Sequence, residues 1–207
     1  MKRTSFILLF AFIIFNSCED PIDYGYGQYY VEIVTALGDE IFELDNGQKL
    51  INTNASYPTA FEAGQRILLR FSYVEGCKDK IKIRFAGRLI QGVLDTVEQE
   101  KILAHPNDPV KLESLWIGNH FLNILFYIEH KSEPHSVVLW VDKLKVDKNN
   151  IDIYFLHDIN NDEKGVFTFM STSFDLSSVL GQPQGEKTIK IHLNTTNYGN
   201  KIYEFNY

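Results

Sequence analysis

Apolar and polar residues alternate with a period of two through most of this chain. In Lys80-Ile81-Lys82-Ile83-Arg84-Phe85 the alternation puts Ile81, Ile83 and Phe85 on one side, because successive side chains of a strand point to opposite faces. The stretch 66–73 repeats it with Ile67, Leu69, Phe71 and Tyr73. So do Ile151, Ile153 and Phe155, then Ile189, Ile191 and Leu193, and finally Tyr203, Phe205 and Tyr207. Val137-Val138-Leu139-Trp140-Val141 is apolar at every position and predicts a central strand covered on both faces. Asn46-Gly47, set between two short apolar runs, predicts a two-residue type I′ hairpin turn. Helical periodicity is scarce; one short turn is expected at 175–180, with Asp175 capping its start. The chain reads as all-β.

Pro106 and Pro109 interrupt pairing and follow a polar segment at 95–101, which predicts a domain break between 104 and 109. Upstream, five or six strands with a long early one suit a small barrel of oligonucleotide/oligosaccharide-binding (OB) type over 29–104. Downstream, about seven short strands suit a β-sandwich over 109–207. No internal repeat or low-complexity tract is present.

The first residues follow a different pattern. Lys2 and Arg3 precede an unbroken apolar run from Phe6 to Phe15, which stops at Asn16-Ser17-Cys18. That is the form of an export signal, and the run is too short for a membrane span of ~20 residues. Ser17-Cys18 resembles the junction at which a lipoprotein is cleaved and its cysteine acylated, although Phe15 stands where an aliphatic residue is usual. Residues 1–17 are therefore predicted as a signal peptide and 18–28 as a tether lipidated at Cys18. The plainer alternative is an ordinary signal in which Cys18 is a spectator. Several acyl chains would anchor firmly, at ~0.8 kcal/mol per buried CH₂. Glu19, Asp20 and Asp23 follow the cysteine, as in lipoproteins carried to the outer face of the outer membrane, and they equally make a solvated tether. The expected location is the cell envelope, anchored in the outer membrane, with surface exposure favoured over a periplasmic orientation.

Loss of residues 1–17 removes two positive charges and moves the formal charge from −7 to about −9. With no Lys/Arg cluster, nucleic acid is excluded as a partner. A hydrophobic content of 44% is enough for one or two substantial cores. Once Cys18 is lipidated, Cys77 is the sole remaining thiol and reads as a bystander in a turn, with no disulfide available.

Candidate chemistry is sparse. Asp158, Asn160 and Asp162 sit at alternate positions, as ligands do at the start of a calcium loop, but the Gly and Glu that should follow are replaced by Glu163 and Phe169. A polar hairpin loop explains the same residues. Six histidines are scattered, without a helical pair at metal spacing. His130 and His135 flank Lys131-Ser132-Glu133-Pro134, so one hairpin loop would bring them together, yet two ligands are too few for a structural zinc. There is no nucleophile elbow, phosphate-cradling loop or dinucleotide fingerprint, and no cofactor or catalytic residue is predicted. Tyr24 and Tyr26, with Tyr29 and Tyr30, are candidates for stacking on a partner, or else pack the tether onto the first strand.

Five segments carry a family resemblance: Phe42-Glu43-Leu44-Asp45-Asn46-Gly47, Gly64-Gln65-Arg66-Ile67-Leu68-Leu69, Leu115-Trp116-Ile117-Gly118-Asn119-His120-Phe121-Leu122-Asn123-Ile124, Ser173-Phe174-Asp175-Leu176-Ser177-Ser178, and Ile202-Tyr203-Glu204-Phe205. In kind and order they resemble the NigD-like lipoproteins of Gram-negative anaerobes. The resemblance implies an OB-like domain followed by a β-sandwich, and no activity or catalytic set. Trp116, Asn119 and Asn123 lie in its most recognisable segment and are candidates for a binding surface; alternatively Trp116 fills the sandwich core and Gly118-Asn119 forms a turn, which is the favoured reading. The expected function is that of a non-catalytic, lipid-anchored envelope protein that binds a protein or glycan. A bacteriocin-associated or immunity-type lipoprotein comes second, and a glycan hydrolase last.

Overall fold

The computed structural model describes residues 28–54, 61–144, 149–181 and 187–207. Strands β1 (Tyr30–Gly38), β2 (Ile41–Leu44), β3 (Lys49–Asn52), β4 (Arg66–Tyr73) and β5 (Lys80–Arg88) close into a barrel of order β1-β2-β3-β5-β4, with β3 and β5 parallel. Alternation fills it: Ile67, Leu69 and Phe71 from β4 meet Ile81 and Ile83 from β5 and Phe42 and Leu50 from the hairpin. The β2–β3 hairpin forms at the expected place but not with the expected turn. Gly47 has φ +83°, whereas Asp45 and Asn46 keep negative φ, and Gly47 N–H donates to the Leu44 carbonyl across a three-residue loop. The extra residue is Asp45, whose carboxylate the loop presents to the second unit.

That unit is a sandwich of two sheets. One has the order β14-β13-β11-β10-β7, built from β7 (Asp95–Val97), β10 (Ser136–Asp142), β11 (Asn150–Asp158), β13 (Thr188–Thr195) and β14 (Gly199–Asn206). The other has the order β6-β12-β9-β8, built from β6 (Ile90–Val93), β8 (Lys111–Gly118), β9 (Phe121–His130) and β12 (Val166–Asp175). Leu122, Ile124 and Phe126 of β9 pack against Ile153 and Phe155 of β11 and Ile191 of β13. Each such side chain contributes roughly 1.5–3 kcal/mol by leaving water. The segment 90–104, grouped with the barrel in the sequence reading, belongs to the sandwich by its pairing: β6 runs parallel to β12 and β7 parallel to β10. Short parallel edge strands carry too little sequence pattern to reveal this. Helix α1 (Gln99–Ala104) then lays Ile102 over Trp140, so β10 is covered on both faces as its apolar run predicts. The helical turn near 175 is α2 (Ser177–Leu180); its N-cap is Leu176 and not Asp175, although Asp175 Oδ1, one residue earlier, accepts the Ser177 N–H at 2.7 Å.

Barrel and sandwich meet through Arg66, whose side chain is 3% exposed. Its Nη1 donates to Asp45 Oδ1 at 2.6 Å and to Thr35 Oγ1 at 3.0 Å, Nη2 to Asn123 Oδ1 at 3.0 Å, and Nε to Ser173 Oγ at 3.2 Å. Ser173 in turn donates to Asn123 Oδ1, and Asn123 Nδ2 donates to Asp45 Oδ2. The guanidinium lies 4.3 Å over the Phe121 ring. Beside it Ile33, Leu68 and Leu89 pack against Trp116 and Leu125. The charge is buried but paired, and every polar neighbour is bonded, as a buried charge requires.

Candidate functional site

The loops 131–135 and 159–165 do not close hairpins. Each crosses from one sheet to the other, because β9 pairs with β12 while β10 pairs with β11. The pairing sets the two arches side by side at one end of the sandwich and gathers His130, His135, His157 and Asp162. The second arch turns at Asn160 and Asn161, both at positive φ, and closes at Gly165, where a Cβ would lie 2.1 Å from the His130 carbonyl oxygen. Only glycine fits that approach.

Asp162, 1% exposed, ties the arches together. Its Oδ2 accepts the Lys131 N–H at 2.8 Å, and its Oδ1 accepts those of Ser132 and Glu133, each at 3.1 Å. These bonds, the Lys131 one foremost, hold the carboxyl well below the usual carboxylate range against the opposing effect of burial. Lys131 also pairs with Glu163 across the arches. From Asp162 a file of rings runs inward. His135 Nε2 stands 3.1 Å from Asp162 Oδ2, His135 Nδ1 stands 3.0 Å from His157 Nε2, and His157 Nδ1 stands 3.2 Å from the Asp108 carbonyl oxygen. A carbonyl only accepts, so His157 Nδ1 donates and His157 Nε2 accepts from His135 Nδ1–H. Burial lowers the His157 pKa, in keeping with a neutral ring that accepts at Nε2. The two remaining nitrogens face the carboxylate: His135 Nε2, and His130 Nδ1 at 3.3 Å, which is buried and makes no hydrogen bond.

Asp162 and His157 also line a cavity of about 210 Å³. Its other walls include Asp108, Glu129 and the aromatic rings of Tyr127 and Phe167. Tyr127 packs edge-on to Phe169 at 5.3 Å, and the Lys111 ammonium lies 5.6 Å from the Phe167 ring. Phe167 is exposed. Aromatic faces beside acceptors and a cation suit a polar ligand with apolar faces.

Comparison with known proteins places the chain. The model of the NigD-like C-terminal β-sandwich domain matches residues 92–207, more than half of the chain. The chain belongs to the NigD-like family. Its fold is shared by solved structures: a NigD-like immunity protein from Bacteroides caccae (17% identity, 89% of this chain and 99% of that one, TM-score 0.67), a candidate toxin-related protein from Parabacteroides distasonis (20%, 87% and 93%, 0.71) and a candidate lipoprotein from Bacteroides fragilis (16%, 87% and 96%, 0.62). No curated protein sequence matches it.

The segments that resemble the NigD-like family turn out to hold the architecture. Asn123 has no exposed surface and belongs to the Arg66 network, so it offers nothing to a ligand. Trp116 packs between barrel and sandwich instead of in the main sandwich core. Asn119 makes a turn at φ +56°, and its carbonyl accepts the Tyr207 hydroxyl at 2.6 Å. The proposed calcium ligands part company: Asp158 Oδ1 accepts the Asn160 N–H, while Asp162 commits its carboxylate to the neighbouring arch. Cys18, Tyr24 and Tyr26 lie outside the described residues. Cys77 is disulfide-bonded, not the bystander thiol expected of it. Reading along the chain missed the meeting of Asp162 with the two histidines, because 27 residues separate His135 from Asp162 and only the sheet pairing closes that distance.

Proposed function

We propose that this NigD-like protein is a lipid-anchored, non-catalytic accessory protein of the cell envelope, tethered through Cys18 and contacting a partner at the arch end of its sandwich. The observation that carries the anchor is the sequence of residues 2–18, a charged start and an apolar run ending at Ser17-Cys18. A holding role for the fold is supported by the Arg66 network, which engages barrel and sandwich together and presents them as one body. The aromatic cavity at Tyr127 and Phe167 is the surface best suited to a glycan or envelope-protein partner. The location proposed is the outer membrane, with the domains on its outer side.

Fractionation of cells expressing the wild type and Cys18→Ala tests the anchor. The wild type is expected in the membrane fraction and Cys18→Ala in the soluble one; equal partition of the two contradicts lipidation. Acylated Cys18 cannot also form a disulfide, and the chain has no third cysteine. Thiol labelling of Cys77 in the mature protein is therefore an independent check: lipidation predicts a reactive thiol there, and a Cys77 still disulfide-bonded, as it is in the full-length structure, would contradict lipidation. Protease treatment of intact cells reports the orientation.

A second reading, immunity toward a bacteriocin, is favoured by the neighbour from Bacteroides caccae that is described as an immunity protein. Unchanged bacteriocin sensitivity after deletion of the gene would remove it.

A further inference from the structure

The arch cluster presents an electrostatic contradiction that a cation resolves. His135 turns Nδ1 toward His157 and Nε2 toward the Asp162 carboxylate at 3.1 Å, and His130 Nδ1, buried without a hydrogen bond, faces the same oxygen at 3.3 Å. Two electron-rich atoms do not attract each other; a proton or a metal ion must stand between them. We propose that His130, His135 and Asp162 form a binding site for a divalent transition-metal ion, with zinc as the best fit. This goes beyond the lipid-anchored reading and does not depend on it.

The geometry agrees with the ion. Donor atoms of all three residues lie within 4.8 Å of one another. Around zinc, with bonds of ~2.0–2.1 Å, tetrahedral ligands stand roughly 3.3 Å apart. The His135–Asp162 and His130–Asp162 separations of 3.1 and 3.3 Å already match that edge. The His130 ring, 35% exposed at the end of β9, has room to adjust the third. The acceptor count also closes. A carboxylate has about four lone-pair sites, three of which take the N–H groups of Lys131, Ser132 and Glu133, and the fourth is left for the metal.

His157 supplies the support that metal-bound histidines normally have: it accepts the far N–H of His135 and so fixes Nε2 toward the ion. Two imidazoles and one carboxylate favour zinc or a neighbour in its row over calcium or magnesium, which prefer oxygen alone. Three protein ligands leave a fourth position for water or for an atom of a bound partner. Asp162 lines the cavity from which such an atom would come.

The test is titration of the chelator-stripped mature protein with Co²⁺, followed by visible absorption, and with Zn²⁺, followed by calorimetry. The wild type is expected to take up one ion per chain and to develop the absorption of a four- or five-coordinate cobalt site that zinc then displaces. His130→Ala, which removes a ring nitrogen that no hydrogen bond uses, is expected to weaken binding at least tenfold while leaving metal-free unfolding unchanged. His157→Phe acts through positioning and is expected to weaken binding about 10–100-fold. His105→Ala, remote from the arches, is expected to bind like the wild type. Failure of the wild type to bind would overturn the proposal, as would equal affinity in His130→Ala or an equal loss in His105→Ala.

Discussion

The Arg66 junction and the arch cluster are both buried polar networks built on one carboxylate, yet they end differently. At the junction Arg66, Asp45, Asn123 and Ser173 use one another, and no polar side-chain atom of the four is left buried without a partner. At the arches Asp162 is equally well bonded, but two imidazole nitrogens, His135 Nε2 and His130 Nδ1, converge on one of its oxygens, and the second is buried with no hydrogen bond. A closed network specifies structure. One that is short of a cation points to a ligand.

The largest expected effect is at the junction. Arg66→Ala leaves Asp45 without its partner and should lower stability by about 3–5 kcal/mol in denaturant unfolding; a loss under ~1 kcal/mol would show that the network holds little. Asn123→Ala removes an acceptor shared by Arg66 and Ser173 and a donor to Asp45. A loss of about 1–3 kcal/mol is expected. At the arches, Asp162→Ala strips the acceptor from three backbone N–H groups, and faster amide exchange at Lys131, Ser132 and Glu133 is the expected sign.

Acid probes the arches in two stages. Burial holds His157 below its ordinary value of 6.5, so the folded protein binds fewer protons there than the unfolded chain. That contribution is full above about pH 6.5 and is lost as the pH falls through the lower folded value. Asp162 is held below its ordinary 3.8, so its contribution is lost further down. Stability should therefore fall from neutral pH toward acid, and His157→Phe should flatten the first stage of the decline. The smallest effect belongs to His130→Ala, expected within ~0.5 kcal/mol of the wild type without metal.

The strands that the sequence displays best are those with one face in a core. Ile189, Ile191 and Leu193 alternate with Thr188, Lys190, His192 and Asn194 because one face of the strand is in a packed interior and the other is partly exposed. The strands β6 and β7 escape that logic, being short and at sheet edges, and so the boundary of the sandwich lies earlier than its prolines suggest. The candidate site was half visible. The spacing pairs His130 with His135 and marks Asp162 as an oxygen ligand, but it sets Asp162 beside Asp158 and Asn160 and not beside the two histidines. Their meeting depends on two sheet-crossing arches lying in register, which is a property of strand pairing and not of local spacing. Arg66 and Asn123 were invisible as partners for the same reason.

Thermal unfolding of the wild type and His130→Ala, each with and without excess Zn²⁺, separates the two networks most directly, since an ion that binds only the folded state raises its melting temperature. The account predicts that zinc raises the midpoint of the wild type and leaves that of His130→Ala where it was. Equal shifts in both proteins, or none in the wild type, would contradict it and return the arch cluster to a purely structural role.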